Sequence, residues 1–215
     1  MTPRELVARK RKKFGFITLS GNHPVLDFLN TVDNRATEKE YEWLATYADA
    51  VGWAERVRIV DRETAERFIV ETHGHDTDTL YREIIATRET LYGVFAAIID
   101  KRTPDAGGWD RFNALVRRSL RRIEVSTDEH GHSWRFPDVS QIPIGFLQPL
   151  VKGAADLLIE GGAARLKRCA DPTCGYLFLD TSKNRSRQWC SMQTCGNRSK
   201  ANRYYRRRRE AQGAE

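Results

Sequence analysis

Apolar positions in this chain recur mostly at helical spacing. Behind Pro24, Val25, Leu26, Phe28, Leu29 and Val32 form one stripe, with Asp27, Asn30, Thr31 and Asn34 on the opposite strip. Tyr47, Ala50, Val51, Trp53, Ala54 and Val57 predict a second helix over 46–57, and Asp61 caps a third that runs to about Glu71. The longest opens at Asp76 or Asp78 and runs to about Asp100 on Leu80, Ile84, Leu91, Phe95 and Ile98. Trp109, Phe112, Leu115, Val116 and Leu120 mark another. A last body helix is expected from Ile142 to Glu160, with Pro143 in its first turn, a kink or restart at Pro149, and Gly161-Gly162 ending it. Period-two stretches are few. Phe14–Leu19 reads as a short strand, Ile123–Ser126 with Ser133–Phe136 as a hairpin, and Tyr176–Asp180 with Ser186–Trp189 as a second hairpin around Thr181–Arg185. The fold class expected is α+β: a mainly helical N-terminal domain with a small β-hairpin, then a compact cysteine-bearing module with a basic C-terminal helix. The boundaries expected are a frayed basic arm over 1–13, a helical domain over 14–162 and the module over 163–215.

Charge sharpens this division. The chain of 215 residues carries a net +7, yet residues 14–164 hold seventeen Lys/Arg against twenty-four Asp/Glu. Residues 165–210 hold thirteen against three. An acidic body with a strongly basic appendage fits a polyanion-binding protein. No run of eighteen apolar residues occurs, which predicts no membrane span. No apolar stretch follows the basic start, so a secretory leader is not expected and the cytoplasm is.

All four cysteines fall in the basic module, as Cys169-x4-Cys174 and Cys190-x4-Cys195 with fifteen residues between the pairs. Each pair offers two thiolates from one tight turn, which is the ligand set of a closed tetrahedral zinc site. Two disulfides, or plain buried thiols, are the alternatives; disulfides need an oxidising compartment. Pro172 and Gly175 shape the first turn, and Tyr176, Phe178 and Trp189 supply a small apolar core. Cys195 is placed near a helix N-terminus. Four thiolates and Zn2+ leave the module at about +8.

The segment resembles the CGNR zinc finger, through Cys195-Gly196-Asn197-Arg198, Cys169, Cys174, the Phe178–Ser182 run, Trp189-Cys190-Ser191-Met192, Lys200 and the arginine tail. Gln188 stands where another arginine is expected. The resemblance covers about forty-five residues and implies bacterial, cytosolic, DNA-binding regulators of stress-linked transcription. Gly21, Leu26-Asp27 and Asn30-Thr31 likewise resemble the opening of the ABATE domain, which is found in front of such fingers; His23-Pro24 lies outside that pattern.

These readings give a structural Zn2+ on Cys169, Cys174, Cys190 and Cys195, and a nucleic-acid face of Lys183, Arg185, Arg187, Arg198, Lys200, Arg203, Arg206, Arg207 and Arg209, with Tyr204 and Tyr205 able to stack. Double-stranded DNA is the expected partner. RNA or ribosome association, or a protein-interaction or redox module, is the alternative. Asp27, Asn30, Thr31 and Arg88 are candidates for a pocket taking a small-molecule effector, although the strip also fits a helix cap with buried hydrogen bonds, and Arg88 a surface arginine. The body is expected to sense or dimerise, a homodimer being one form. The linker is short, so a shift in the body could re-aim the finger. His73, His75, His130 and His132 read as solvated turns, and Arg117, Arg118, Arg121 and Arg122 as a solvated helix face. No nucleotide-binding glycine loop or nucleophile elbow occurs, so catalysis is not expected.

Overall fold

The computed structural model describes residues 2–16, 19–35, 37–104, 106–129 and 131–212. Among the described residues, seven α-helices make the body: α1 (Pro3–Lys13), α2 (Pro24–Leu29), α3 (Tyr47–Arg56), α4 (Arg62–Glu71), α5 (Asp78–Ile99), α6 (Ala106–Ser119) and α7 (Leu147–Ile159). Short antiparallel pairs interrupt them, β1 (Val32–Asp33) with β2 (Tyr41–Glu42) and β3 (Glu124–Asp128) with β4 (Gly131–Arg135). The mainly helical architecture with small hairpins and a terminal cysteine module is the one expected.

Local chemistry fixes most helix starts. The His23 Nδ1 accepts the Val25 N–H at 3.2 Å ahead of Pro24, Thr46 Oγ1 accepts the Asp49 N–H at 3.1 Å, and Asp61 Oδ1 accepts the Thr64 N–H at 2.7 Å. Four expectations are corrected. Residues 3–13 are a helix, not a frayed arm. Its Val7 is buried, as is Phe14 just beyond it, and Lys10 and Lys13 reach the buried Asp49 carboxylate at 3.0 and 3.1 Å. Burial pushes the Asp49 carboxyl up, but bonds from Lys10, Thr46 and Lys13 outweigh it and hold the group below its usual range. Phe14–Phe16 is a 3-10 turn, and residues 17 and 18 of the expected strand lie outside the described residues. Val32 leaves the helix to pair in β1, because α2 ends at Leu29. Finally, α7 begins at Leu147, not Ile142. Pro149 therefore sits in the first turn, where its missing N–H has no helical partner to lose.

One apolar core runs through α1 to α7, around Phe28, Trp53, Phe68, Phe95 and Phe146, all fully buried. It does not stop at the end of the body. Leu166 and Leu177, from the cysteine-bearing module, belong to the same core. By contrast, β3–β4 stands out from the surface, with Val125 and Trp134 exposed. On α6 and just after it, Arg118 pairs with Glu83 at 2.6 Å and Arg122 with Asp138 at 2.9 Å. His73 and His75 are exposed, His132 meets Thr127 Oγ1 at 2.9 Å, and His130 lies outside the described residues.

Candidate metal centre and nucleic-acid face

The module is built on a hairpin of β5 (Leu166–Arg168) and β6 (Leu177–Leu179), in register Leu166↔Leu179, Lys167↔Phe178 and Arg168↔Leu177. Its connection carries Cys169 and Cys174. This corrects the expected pairing of Tyr176–Asp180 with Ser186–Trp189: the partner of β6 lies before the first cysteine. Alternation along β6 then sorts its side chains, with Phe178 packing on the cysteines while Leu177 and Leu179 face the body. Gly175 adopts φ +73°, and a Cβ there would meet Arg35 Cβ at 2.8 Å. Of the second pair, Cys190 precedes and Cys195 lies on a wide π-type turn, Met192–Gly196, capped by Ser191 and running into α8 (Asn197–Gln212).

All four cysteines are buried, unbridged and grouped so that their sulfurs lie within 4.8 Å of one another. Cys174 and Cys190 Sγ are 3.6 Å apart, and Cys190 and Cys195 Sγ 3.7 Å. A tetrahedron with Zn–S bonds of about 2.3 Å has edges of about 3.8 Å, whereas a disulfide needs about 2.05 Å. The donor set thus fits a structural Zn2+, with Cys169, Cys174, Cys190 and Cys195 as the residues that would hold it. Hydrogen bonding between Cys169 and Cys174 pulls the first thiol down and pushes the second up. The Cys190 N–H donates to Cys169 Sγ at 3.4 Å, and Arg198 Nη2 to Cys195 Sγ at 3.4 Å. Arg198 also bonds Asp171 Oδ2 at 2.6 Å, tying α8 to the first cysteine turn. Among the described residues, no other His, Cys, Asp and Glu grouping of this kind occurs.

Asp180 organises the loop between the pairs, a role that the sequence reading missed. Fully buried, it accepts Lys167 Nζ at 2.6 Å, Ser182 N–H at 3.0 Å and Arg187 N–H at 3.0 Å. These bonds, Lys167 first, hold its carboxyl well below the usual carboxylate range. The legible signal was an Asp two residues before a Ser, which favours a side-chain-to-backbone turn.

The expected nucleic-acid residues divide. Lys183, Arg185, Lys200, Arg203, Arg206 and Arg209 are exposed, as are Tyr204 and Tyr205. The Arg207 side chain lies outside the described part. Arg198 is half exposed despite its two partners. Arg187 is corrected. Its Nε donates to Trp189 O and its Nη2 to Ser20 O, both at 2.9 Å, and its guanidinium covers Phe178 at 4.4 Å. It clamps the module.

The polar strip is corrected too. Asn30 is buried and takes both backbone groups of Leu177, donating to its O at 2.8 Å and accepting its N–H at 2.9 Å. Asp27 accepts the Gly21 N–H at 2.8 Å, and Gly21 O in turn accepts the Leu179 N–H at 2.8 Å. Burial, offset in part by the bonds from Gly21 and Ser20, pushes the Asp27 carboxyl up to about 6. Thr31 Oγ1 donates to Phe28 O at 2.8 Å and accepts Arg88 Nη1 at 2.9 Å. Arg88 is no surface residue: only 2 % exposed, it is clamped by Glu42 at 2.5 and 2.7 Å and Glu89 at 2.8 Å. Burial lowers its pKa, but Glu42 and Glu89 outweigh that and raise it. Asp27, Asn30, Thr31 and Arg88 therefore hold the body together and fix the module to it, instead of walling a common pocket. Asn22 Nδ2 donates to Leu179 O at 3.1 Å, Tyr92 OH to Gly175 O at 2.9 Å, and Tyr176 OH to Asp33 along the same seam.

A four-cysteine module presenting a basic helix, fused through a shared core to a helical body, defines a zinc-finger protein. Residues 22–161 match the ABATE family, described as "putative stress-induced transcription regulator", and residues 165–208 match the CGNR zinc finger. The chain belongs to the ABATE family and carries a CGNR zinc finger at its C-terminal end. No curated protein matches it. Its cofactor is a structural Zn2+, and among the described residues no helix is long and apolar enough to cross a membrane.

Proposed function

We propose that this regulator binds double-stranded DNA through α8 and the loop before it, by charge and shape and not by catalysis. One observation carries the reading. From Thr181 to Arg209 there are ten Lys/Arg and no Asp/Glu, seven of the ten on α8, whose start is anchored by Cys195 and by the Arg198–Asp171 pair. A groove of about 420 Å³ runs between the first cysteine turn and α8, lined by Thr173, Arg198, Ser199, Asn202, Arg203 and Arg206, with Asp171 also on its wall and paired to Arg198. Hydroxyl, amide and guanidinium groups of this kind are what phosphodiester oxygens accept bonds from. Zinc, when bound, supplies rigidity; the chain's own arginines make the contacts. The cytoplasm, at the nucleoid, is where such a partner is met.

The test is a salt titration of binding. If six to eight phosphates are neutralised, log K falls against log salt with a slope of about −5 to −7. A flat response sinks the reading. Exposed Tyr204 and Tyr205 also suit stacking on unpaired bases, so the same titration with structured RNA as competitor distinguishes duplex DNA from RNA. RNA winning by tenfold or more, roughly 1.4 kcal/mol, reassigns the partner.

A further inference from the structure

Beside the metal centre, body and finger line a half-open cavity of about 260 Å³, separate from the groove of the proposed DNA contact apart from Arg198. Body residues Asp33 and Trp43 line one side, and Tyr176, Arg198 and three of the metal-site cysteines (Cys174, Cys190 and Cys195) line the other. Its volume lies below the usual range for drug-sized ligands, so its occupant is small. The sign of charge it favours follows from the lining. Four thiolates around Zn2+ leave a net −2, and Asp33 adds another negative charge. Arg198, the one cation among the described residues of the wall, is engaged by Asp171 and Cys195 Sγ. Trp43 and Tyr176 also line it, and aromatic rings attract cations at their faces.

We propose that this seam cavity binds a small ammonium compound, its ammonium at Asp33 beside the Trp43 and Tyr176 side chains. Asn34 of the polar strip also lines the cavity, while Asp27, Asn30 and Thr31 are spent on the fold. Arg198 lines both this cavity and the groove against α8, so an occupant sits one side chain from the proposed DNA contact. That coupling rests on the DNA reading; the site itself does not.

The test uses the zinc-loaded full chain without nucleic acid. Ethanolamine and putrescine are titrated while the Trp43 indole N–H resonance is followed, with ethylene glycol and acetate as comparators of similar size. The expected result is a saturable shift with ethanolamine, at least about tenfold weaker for ethylene glycol and acetate. Asp33→Asn is expected to weaken ethanolamine by about tenfold or more. No saturation by roughly 10 mM, or an equal response to acetate, overturns the proposal and leaves a water-filled seam. An Asp33→Asn variant that folds and binds unchanged does the same. Asp33 also holds the Tyr176 hydroxyl, so that variant can fail to fold; the ethanolamine and ethylene glycol pair then decides the charge requirement on the unaltered protein alone. A separate titration with DNA shows whether ethanolamine moves the DNA affinity. Ligand binding with no DNA binding overturns the function and leaves the site.

Discussion

Asp27 is a carboxylate held at a cost. Burial pushes its pKa up to about 6 against an ordinary 3.8, so the folded chain takes up a proton between about pH 4 and 6 and its stability falls as pH rises through that window. At pH 7 the ionised group costs at most about 3 kcal/mol. Asp27→Asn keeps an oxygen for the Gly21 N–H and removes the charge. It is expected to match the parent near pH 4 and to exceed it in denaturant stability near pH 7; equal curves at both pH values would show that Asp27 is not strained. Asn30 works in the opposite sense. Asn30→Ala strands the buried N–H and C=O of Leu177, at about 1–3 kcal/mol for each, and chemical denaturation should show a loss of roughly 2–5 kcal/mol. The sequence displayed this strip as polar residues at helical spacing. It could not display what they face, because Leu177 lies 147 positions from Asn30.

Among the elements, what is local was legible and what is distant was not. The apolar stripe of α3 and the Asp61 cap of α4 put both helices within a residue or so of expectation, since a stripe is read along one helix and a cap needs only a side chain and an N–H three positions on. Cysteine spacing located the metal site for the same reason. The partner of β6 was misassigned because any flanking stretch satisfies a period-two pattern, and burial of Leu166 and Leu177 in the body core decides among them. The start of the chain failed likewise: six Lys/Arg in thirteen residues look solvated until buried Asp49 appears opposite them. The basic residues of the finger separate by the same test. Arg203→Gln should leave the melting temperature within a degree or two and make the salt slope shallower by about 1. Arg187→Gln removes bonds to Ser20 and Trp189 and the cover of Phe178, so it should lower thermal stability first. If Arg203→Gln unfolds the chain while Arg187→Gln changes only affinity, the division of roles is wrong.

At the scale of the whole molecule, finger and body share one core. A finger on a flexible tether would lose metal and structure alone, leaving its neighbour intact. Here Leu166 and Leu177 are buried with the residues of α2, α5 and α7, and the seam adds Asn30, Asn22, Tyr92 and Arg187. So small a module lacks the apolar area to hold its hairpin without metal. Zinc removal should therefore cost the body too: β6 withdraws Leu177, and a core Leu lost to solvent costs about 2–5 kcal/mol. The expected outcome of chelation is a lower melting temperature in a single transition, with helical circular dichroism and near-ultraviolet signal lost together and restored by Zn2+. Cys174→Ser should reproduce the chelated state without chelator. Two separated transitions, the larger unchanged by chelation, would mean that the body folds alone and that the seam is only a contact. The single transition also bears on regulation. A body that shares its core with the finger cannot swing it about a hinge, so any signal must act by loosening the seam, and a ligand beside Asp33 and Tyr176 lies where that can happen.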